Sequence, residues 1–201
     1  MNLHHRKLHR LKDYDYGQSG AYFVTVCTEN RKNLLCEIVG NDEGVVPTPI
    51  GLKVIECWEH IEKLNENVFV DQFCLMPNHI HGIIVITNQE LGEPIKKVYG
   101  FETEERREPE DRREPEDRRE PGERRETGER RPRRSLPGLM KDFKSVTTRI
   151  YKRMVGRTGD TSIWQPSYYD EIIKNDKHYL KVWDYIEHNP VMWSEDEYFS
   201  R

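Results

Sequence analysis

Hydrophobic positions along this chain of 201 residues repeat with two different periods, and each period predicts a different kind of element. Apolar, β-branched and aromatic runs predict strands at AYFVTVCT (21–28), VFVDQFCLM (68–76) and HIHGIIVIT (79–87), and an extended piece around 168–173. Two shorter strands are predicted within 33–48, on either side of a turn at 40–42.

Apolar residues spaced three and four apart predict three amphipathic helices, at 48–66, 135–155 and 175–189. Asn175 or Asp176 caps the last helix and Pro190 ends it. The predicted buried stripes are Leu139, Met140, Phe143, Val146, Ile150 and Met154 in the second helix, and Tyr179, Val182, Trp183 and Ile186 in the last. Strands and helices in this order predict an α+β fold, namely a ferredoxin-like antiparallel sheet with helices packed on one face.

The strand at 79–87 carries the first candidate chemistry. Its alternation places His79 and His81 on one face, about 6.6 Å apart at their Cα atoms, where two imidazoles can converge on one metal ion. Both faces of the strand are otherwise apolar, which predicts a central position in the sheet. The alternative is that the two histidines are polar residues at a strand end, satisfied by solvent.

A six-residue repeat, RREPED, interrupts the globular pattern. Residues 101–134 contain 12 basic and 13 acidic residues, and Pro109, Pro115 and Pro121 interrupt any helix. We therefore predict a single domain over 1–201 with a disordered insert at about 93–134. An insert that binds nucleic acid through its arginine pairs is the alternative, but the interleaved acids disfavour it.

Charge and composition limit the classes of protein and the cellular compartments that this sequence fits. The net charge of −4 disfavours a generic nucleic-acid binder, although 141–157 and the basic N-terminus could form local patches that hold a phosphate backbone. Four scattered cysteines predict reduced thiols in a cytoplasmic protein. The N-terminal segment lacks the apolar stretch of a signal peptide, and no apolar run is long enough for a membrane span.

The last helix carries the second candidate chemistry. Tyr185 and Asn189 are four residues apart and share a helix face, with Tyr185 away from the centre of the buried stripe. A tyrosine assisted by a metal can act as a nucleophile, and an amide oxygen is a reasonable ligand for Mg²⁺ or Mn²⁺. The alternative for Tyr185 is an ordinary tyrosine on a helix surface.

Five segments together, GAYFVTVCTENRK, FCLMPNHIHGIIVI, FKSVTTRIY, IWQPSYYDEIIKN and DYIEHNPVMW, resemble the REP-associated branch of the single-tyrosine HUH transposases. They cover nearly all of the chain except the insert. The resemblance implies that His79 and His81 form the HUH metal pair on the central strand, that Asn189 is the third ligand, and that Tyr185 is the nucleophile. It also implies a divalent metal, Mg²⁺ or Mn²⁺, and a 5′-phosphotyrosine intermediate on single-stranded DNA with a palindromic hairpin.

The sequence leaves open the DNA contacts, the choice of nucleophile, the oligomeric state and the function. Candidate DNA contacts are Arg6, Lys7, Arg10, Lys144, Arg149, Lys152, Trp164 and Gln165, of which Trp164 and Gln165 could equally be structural. Tyr169 is an alternative nucleophile. The chain could be a monomer or a homodimer. A catalytically silent DNA-binding protein of the same fold and an unrelated metal-dependent hydrolase are the competing functions.

Overall fold

A computed structural model describes residues 14–39, 44–87, 134–156 and 162–199. The predicted turn at 40–42, nearly all of the predicted insert at 93–134, and the candidate DNA contacts Arg6, Lys7 and Arg10 lie outside these residues. Within the described part of the chain, none of the helices combines the length and apolar character needed to cross a bilayer.

The main sheet has four antiparallel strands. In chain order the elements are β1 (Gly20–Cys27), β2 (Cys36–Val39), β3 (Gly44–Pro47), α1 (Pro49–Lys63), β4 (Val68–Leu75), β5 (His79–Ile86), α2 (Leu136–Met154), β6 (Tyr169–Ile173) and α3 (Asp176–His188). The sheet order is β4-β5-β1-β6, and β2 pairs with β3 as a separate hairpin. Apart from that hairpin, the order βαββαβ is the ferredoxin-like arrangement. The predicted fold class is confirmed, and β5 is a central strand as expected.

Helix boundaries follow from capping side chains and from proline. Thr48 precedes α1, and its hydroxyl accepts a hydrogen bond from the backbone N–H of Gly51 at 3.1 Å. Asn175 caps α3 in the same way, accepting from the backbone N–H of His178 at 2.9 Å. Pro190 follows the end of α3 by two residues, which agrees with the predicted stop.

Helices α1 and α2 cover one face of the sheet and form the main core with it. The Trp58 ring of α1 packs edge-on against Phe143 of α2, with ring centroids 5.7 Å apart. Trp58 also lies directly over Gly82 of β5, where an added Cβ would be 2.3 Å from its ring carbon Cζ2. Burying each large apolar side chain contributes about 1.5–3 kcal/mol, so this layer supplies much of the stability.

The buried stripe of α2 differs from the prediction. Val146 is only half-buried and Met154 is exposed, whereas Thr147 is fully buried. The reason is a hydrogen bond: the indole N–H of Trp164 is buried and donates to the Thr147 hydroxyl at 2.7 Å. A buried donor needs an acceptor, so a polar residue occupies the inner face here.

The prediction of helices on one face holds for α1 and α2 but not for α3, which packs on the opposite face of the sheet, over the side of β5 that carries the histidines. Tyr179, Val182 and Ile186 are buried as predicted, whereas Trp183 is only half-buried. A bulge in β4 between Val70 and Phe73 lies under this helix, and Asp71 within it accepts a hydrogen bond from the Tyr179 hydroxyl. This contact helps to set the position of α3 on the sheet.

All four cysteines are free thiols, in agreement with the prediction. Cys27 lies opposite His79 in the β1–β5 pairing, and Cys74 lies opposite His81 in the β4–β5 pairing. Burial raises the pKa of the Cys27 thiol to about 11, so it is protonated at neutral pH.

Candidate active site

The two histidines of β5 converge on one point. His79 and His81 are both buried, and their Nε2 atoms lie 3.0 Å apart. The pleat of β5 sends both side chains to the α3 face, as the alternation predicted. The alternative, that the pair is satisfied by solvent at a strand end, does not hold, because both rings are inside the protein.

Asn78 determines which nitrogen of His79 carries the proton. The Asn78 amide nitrogen donates to two backbone carbonyl oxygens, those of Arg31 at 3.3 Å and Tyr198 at 2.7 Å. These two acceptors fix the orientation of the amide, so its oxygen faces Nδ1 of His79 at 2.9 Å. An amide oxygen only accepts, so Nδ1 is the protonated nitrogen and Nε2 keeps its lone pair.

Thr25 forms the corresponding hydrogen bond to His81, and this bond permits either tautomer of the imidazole. Its hydroxyl oxygen lies 2.8 Å from Nδ1 of His81. A hydroxyl can donate or accept, so His81 can carry its proton on Nε2, facing His79, or on Nδ1, facing Thr25. The second arrangement leaves both Nε2 lone pairs pointing at the same point, as two metal-binding imidazoles require.

Burial keeps both imidazoles neutral. It lowers the pKa of His81 to about 3. It also lowers the pKa of His79 well below its ordinary value, with smaller contributions from His81 and the positive charge of Arg31. Neutral imidazoles with available lone pairs are suitable metal ligands at physiological pH.

A carboxylate that the sequence reasoning missed completes the group. The ligand atoms of His79, His81 and Asp196 all lie within 4.8 Å of one another, so these three side chains could hold a metal ion. Asp196 follows a short 3-10 turn at Trp193–Glu195, beyond the end of α3. The only signal for it in the sequence is an acidic run, Glu195 to Glu197, whose members cannot be told apart by spacing.

Asn189, the predicted third ligand, lies beside this group. It is only 3% exposed, and its amide nitrogen donates to Asp196 Oδ2 at 3.2 Å. Its side-chain oxygen Oδ1 is buried and has no hydrogen-bond partner within the described residues. A buried acceptor without a partner is costly, and a cation would satisfy it. Two neutral imidazoles, a carboxylate and this oxygen form a mixed nitrogen and oxygen donor set that fits a divalent cation.

Tyr185 is adjacent to the histidines. Its hydroxyl oxygen lies 3.4 Å from Nε2 of His81, and its ring packs edge-on against Phe23 with centroids 6.0 Å apart. Burial, together with the nearby charges of Asp196 and Glu197, raises the pKa of Tyr185 to about 12, which the Asn189 amide partly opposes. The phenol is therefore protonated at neutral pH and needs activation to attack.

Tyr185 also reaches solvent. Its side chain is 43% exposed, although its hydroxyl lies beside a buried histidine. A cavity of about 540 Å³ opens here, lined by Asp184, Tyr185, His188, Asn189, Met192, Glu195, Asp196 and Glu197. By contrast, the hydroxyl of the alternative nucleophile Tyr169 donates to Glu171 Oε2 at 3.0 Å.

The candidate DNA contacts divide into two groups. Lys144, Arg149, Lys152 and Gln165 line a second, larger cavity. Trp164 is not placed to stack on an unpaired base, because its side chain is 1% exposed and its N–H is bonded to Thr147. Its structural alternative is the correct one, since Trp164 belongs to the main core.

No family model matches the chain. An uncharacterized protein of Haemophilus influenzae is 30% identical over 197 residues, covering 98% of this chain and 94% of that protein. A solved structure of a REP-associated tyrosine transposase bound to a REP hairpin is 16% identical, with a TM-score of 0.51, covering 90% of this chain and 72% of that one. The chain therefore belongs to the same family as the Haemophilus influenzae protein and has the fold of the REP-associated tyrosine transposase, which confirms the resemblance seen in its sequence motifs.

Proposed function

We propose that this chain is a metal-dependent enzyme that nicks single-stranded DNA and transfers the cut strand, acting at hairpin-forming palindromic repeats. The observation that carries the proposal is the position of the Tyr185 hydroxyl, 3.4 Å from the paired imidazole of His81. This position brings a partly exposed nucleophile next to the largely buried cluster of His79, His81 and Asp196, which could hold a cation.

The side chains of His79, His81 and Asp196 would hold the metal. The side-chain oxygen of Asn189 has no hydrogen-bond partner within the described residues, which supports Asn189 as a further ligand. When bound, Mg²⁺ or Mn²⁺ would stabilise negative charge on the scissile phosphate and favour ionisation of the nearby phenol. Asn78 and Thr25 orient the two imidazoles toward this point through their hydrogen bonds to Nδ1.

The reaction is a transesterification at phosphorus. The Tyr185 oxygen loses its proton and forms a bond to phosphorus, while the bond from phosphorus to the 3′-oxygen breaks and that oxygen takes up a proton. The 5′ end is then held as a phosphotyrosine. A 3′-hydroxyl of another strand can reverse the step, so one phosphoester replaces another and no nucleotide cofactor is consumed.

The shape of the site favours an unpaired strand. The cavity beside Tyr185 has a volume of about 540 Å³, which suits a small ligand or a single nucleotide better than a duplex. Four of its eight lining residues are acidic, so the scissile phosphate would need the bound cation to offset their negative charge. The hairpin partner is proposed from the resemblance and is supported by the complex seen for the transposase of the same fold.

A covalent-adduct experiment tests this proposal. Labelled single-stranded DNA carrying the hairpin next to the gene would be incubated with Mg²⁺ or Mn²⁺ and run on denaturing gels. We expect a protein-linked band with the wild type and with the control Tyr169→Phe. We expect none with Tyr185→Phe, with His79→Ala or in EDTA.

Native gels of the same samples, run beside the denaturing gels, distinguish the competing functions. A native-gel shift without any covalent product would support a catalytically silent DNA-binding protein instead. DNA hydrolysis that survives Tyr185→Phe would support an unrelated metal-dependent hydrolase. An adduct that moves to another tyrosine would overturn the choice of nucleophile.

A further inference from the structure

Arg31 brings a positive charge to the ligand cluster, by which we mean His79, His81 and Asp196. Within the described residues, the lining of the cavity beside Tyr185 contains four carboxylates and neither lysine nor arginine. Burial lowers the pKa of His79 and raises the pKa of Asp196, and the charge of Arg31 adds to the first effect and opposes the second. A phosphate that approaches the ligand cluster would therefore meet the positive charge of Arg31 beside a surplus of acidic groups.

An unusual backbone turn holds Arg31 in this place. Asn30 and Arg31 follow β1 and both have positive φ, 57° and 53°, which is uncommon for residues other than glycine. The backbone oxygen of Arg31 accepts a hydrogen bond from the Asn78 amide at 3.3 Å, and the oxygen of the same amide orients His79. The backbone N–H of Arg31 donates to the Thr28 oxygen at 3.1 Å. Strained residues that their surroundings hold beside a site suggest a function for the side chain they present.

The guanidinium of Arg31 lies against the last described residues of the chain. Its Nη1 donates to the backbone oxygen of Glu197 at 3.3 Å, and its Cζ is 5.1 Å from the centre of the Tyr198 ring. The same ring packs against His79 with centroids 4.8 Å apart. Arg31 is exposed, so a ligand can reach it from solvent. One aromatic ring therefore separates the cation from the imidazole of His79.

Tyr185 and Arg31 approach the two histidines from different ends. The Tyr185 hydroxyl lies beside His81, whereas Arg31 lies beyond the end of β5 at which His79 pairs with Cys27. Substitution at phosphorus places the leaving oxygen roughly opposite the attacking one. If Tyr185 attacks from the His81 end, the 3′-oxygen leaves toward His79. The strand that carries this oxygen would then continue toward Arg31.

We infer that Arg31 binds the phosphate immediately 5′ of the scissile phosphate and retains the strand that ends in the free 3′-hydroxyl. The inference rests on the proposed function and deepens it by naming a further residue that contacts the substrate. After cleavage, the 5′ end is held by its bond to Tyr185, but the 3′ end is held only by non-covalent contacts. A guanidinium binds a phosphate through two parallel charge-assisted hydrogen bonds, so Arg31 would keep the 3′-hydroxyl in place for the reverse step.

Binding measured in EDTA tests this contact without cleavage. The probes are labelled single strands that carry the hairpin next to the gene, each with a neutral methylphosphonate at a different position of the unpaired flank. Anisotropy gives their affinities for the wild type and for Arg31→Gln, whose amide keeps a donor for the Glu197 oxygen. Lys32→Gln is the matched control, because it removes the same charge from the next exposed residue, which lines the second cavity.

We expect a methylphosphonate at one position to weaken binding of the wild type at least about fivefold more than it weakens binding of Arg31→Gln. Lys32→Gln should respond to that position as the wild type does. The protein-linked product formed in Mn²⁺ locates the scissile phosphate, which should lie directly 3′ of this position. A folding defect would weaken binding of every probe alike and would leave the dependence on one phosphate unchanged.

Release of the cut strand tests the consequence for the reaction. A strand labelled at its 5′ end would be cleaved in Mn²⁺, and the loss of the labelled 3′-hydroxyl fragment from the protein would be followed on native gels. Arg31→Gln should release this fragment at least about tenfold faster and give less rejoined product, because it lacks the charged contact. Lys32→Gln should release it at the rate of the wild type.

Tyr198→Leu separates this contact from a purely structural one. It removes the ring against which the guanidinium packs but leaves the charge of Arg31 in place. If Arg31 only held the C-terminal residues, Tyr198→Leu would abolish the dependence on the single phosphate as Arg31→Gln does. We expect Tyr198→Leu to retain this dependence.

Three outcomes would overturn the inference. Arg31→Gln could respond to every methylphosphonate as the wild type does. Tyr198→Leu could reproduce the loss seen in Arg31→Gln. The phosphate that depends on Arg31 could lie on the 3′ side of the cleaved bond. A wild type that forms no adduct would count against the proposed function instead, and the binding measurements in EDTA would still decide whether Arg31 contacts a phosphate of the strand.

Discussion

The hydroxyl oxygen of Tyr185 on α3 lies 3.4 Å from Nε2 of His81 on β5, across 104 positions of sequence. Phe23 of β1 contacts both residues, stacking on His81 with centroids 5.3 Å apart and meeting the Tyr185 ring edge-on. The relationship depends on α3 packing over the histidine face of the sheet.

Thr25 is expected to control metal affinity through His81. Thr25→Val keeps the shape of the side chain but removes the hydroxyl that lies 2.8 Å from Nδ1 of His81. Loss of such an outer hydrogen bond typically weakens metal binding about 10- to 100-fold. Titration calorimetry with Mn²⁺ measures it. Thr25→Ser should bind as the wild type does, and equal affinity for the serine and valine variants would disprove the role.

Asp196 is expected to be a metal ligand. Asp196→Asn keeps the size of the side chain but removes the negative charge, so the affinity for Mn²⁺ should fall at least about tenfold. Glu197→Gln is the matched control, because it removes a neighbouring charge that is not among the three clustered ligand groups. Electron paramagnetic resonance of Mn²⁺ measures both. Similar losses of Mn²⁺ affinity in the two variants would mean that Asp196 acts only through its negative charge and not as a ligand.

Acid is expected to destabilise the metal-free protein. Histidine has a pKa near 6.5 when unfolded, whereas burial lowers the pKa of His81 to about 3 and that of His79 well below its ordinary value. Between these values the unfolded chain binds protons that the folded chain does not, so the free energy of unfolding falls as pH falls. This contribution is complete above about pH 7 and is lost progressively from about pH 6.5 toward about pH 3.

Urea unfolding in EDTA at several pH values measures this effect. A free energy of unfolding that stays constant between about pH 7 and about pH 5 would show that the two imidazoles titrate normally in the folded protein. Added Mn²⁺ should raise stability at neutral pH and do so less in acid, because protons and the cation compete for the same nitrogen atoms.

Gly82 is expected to be required for the packing of β5 against α1. In Gly82→Ala the new Cβ would lie 2.3 Å from a ring carbon of Trp58, so the ring must shift. Such overpacking typically costs about 1–3 kcal/mol. Thermal and urea unfolding measure the loss. Gly138→Ala in α2 is the control, where the nearest atom is 3.5 Å away and stability should stay within about 1 kcal/mol or rise. Equal stability for both variants would contradict the close contact.

Much of the architecture could be predicted because the relevant signals are local. Residues two apart on a strand share a face, so the spacing of His79 and His81 predicted a converging pair, and the apolar flanks predicted a central strand. Residues four apart on a helix share a face, which placed Tyr185 beside Asn189. Proline and capping residues located most helix ends to within a residue or two, whereas α1 ends at Lys63, three residues before the predicted end at 66. The fold class and the two site-bearing elements followed from these local rules.

Tertiary structure alone decided which polar atoms meet. Asp196 lies beside the histidines because the chain turns back after α3. The spacing of hydrophobic residues along the sequence does not predict such a turn. Trp164 was a candidate DNA contact that could equally be structural, and the core buries it while Thr147 accepts its N–H. The cationic side chains that line the second cavity come from two distant segments, Lys32 from the turn after β1 and Lys144, Arg149 and Lys152 from α2. Hydrophobic patterning specifies which face of an element is buried, whereas hydrogen-bond partners and charge clusters depend on how those faces are brought together.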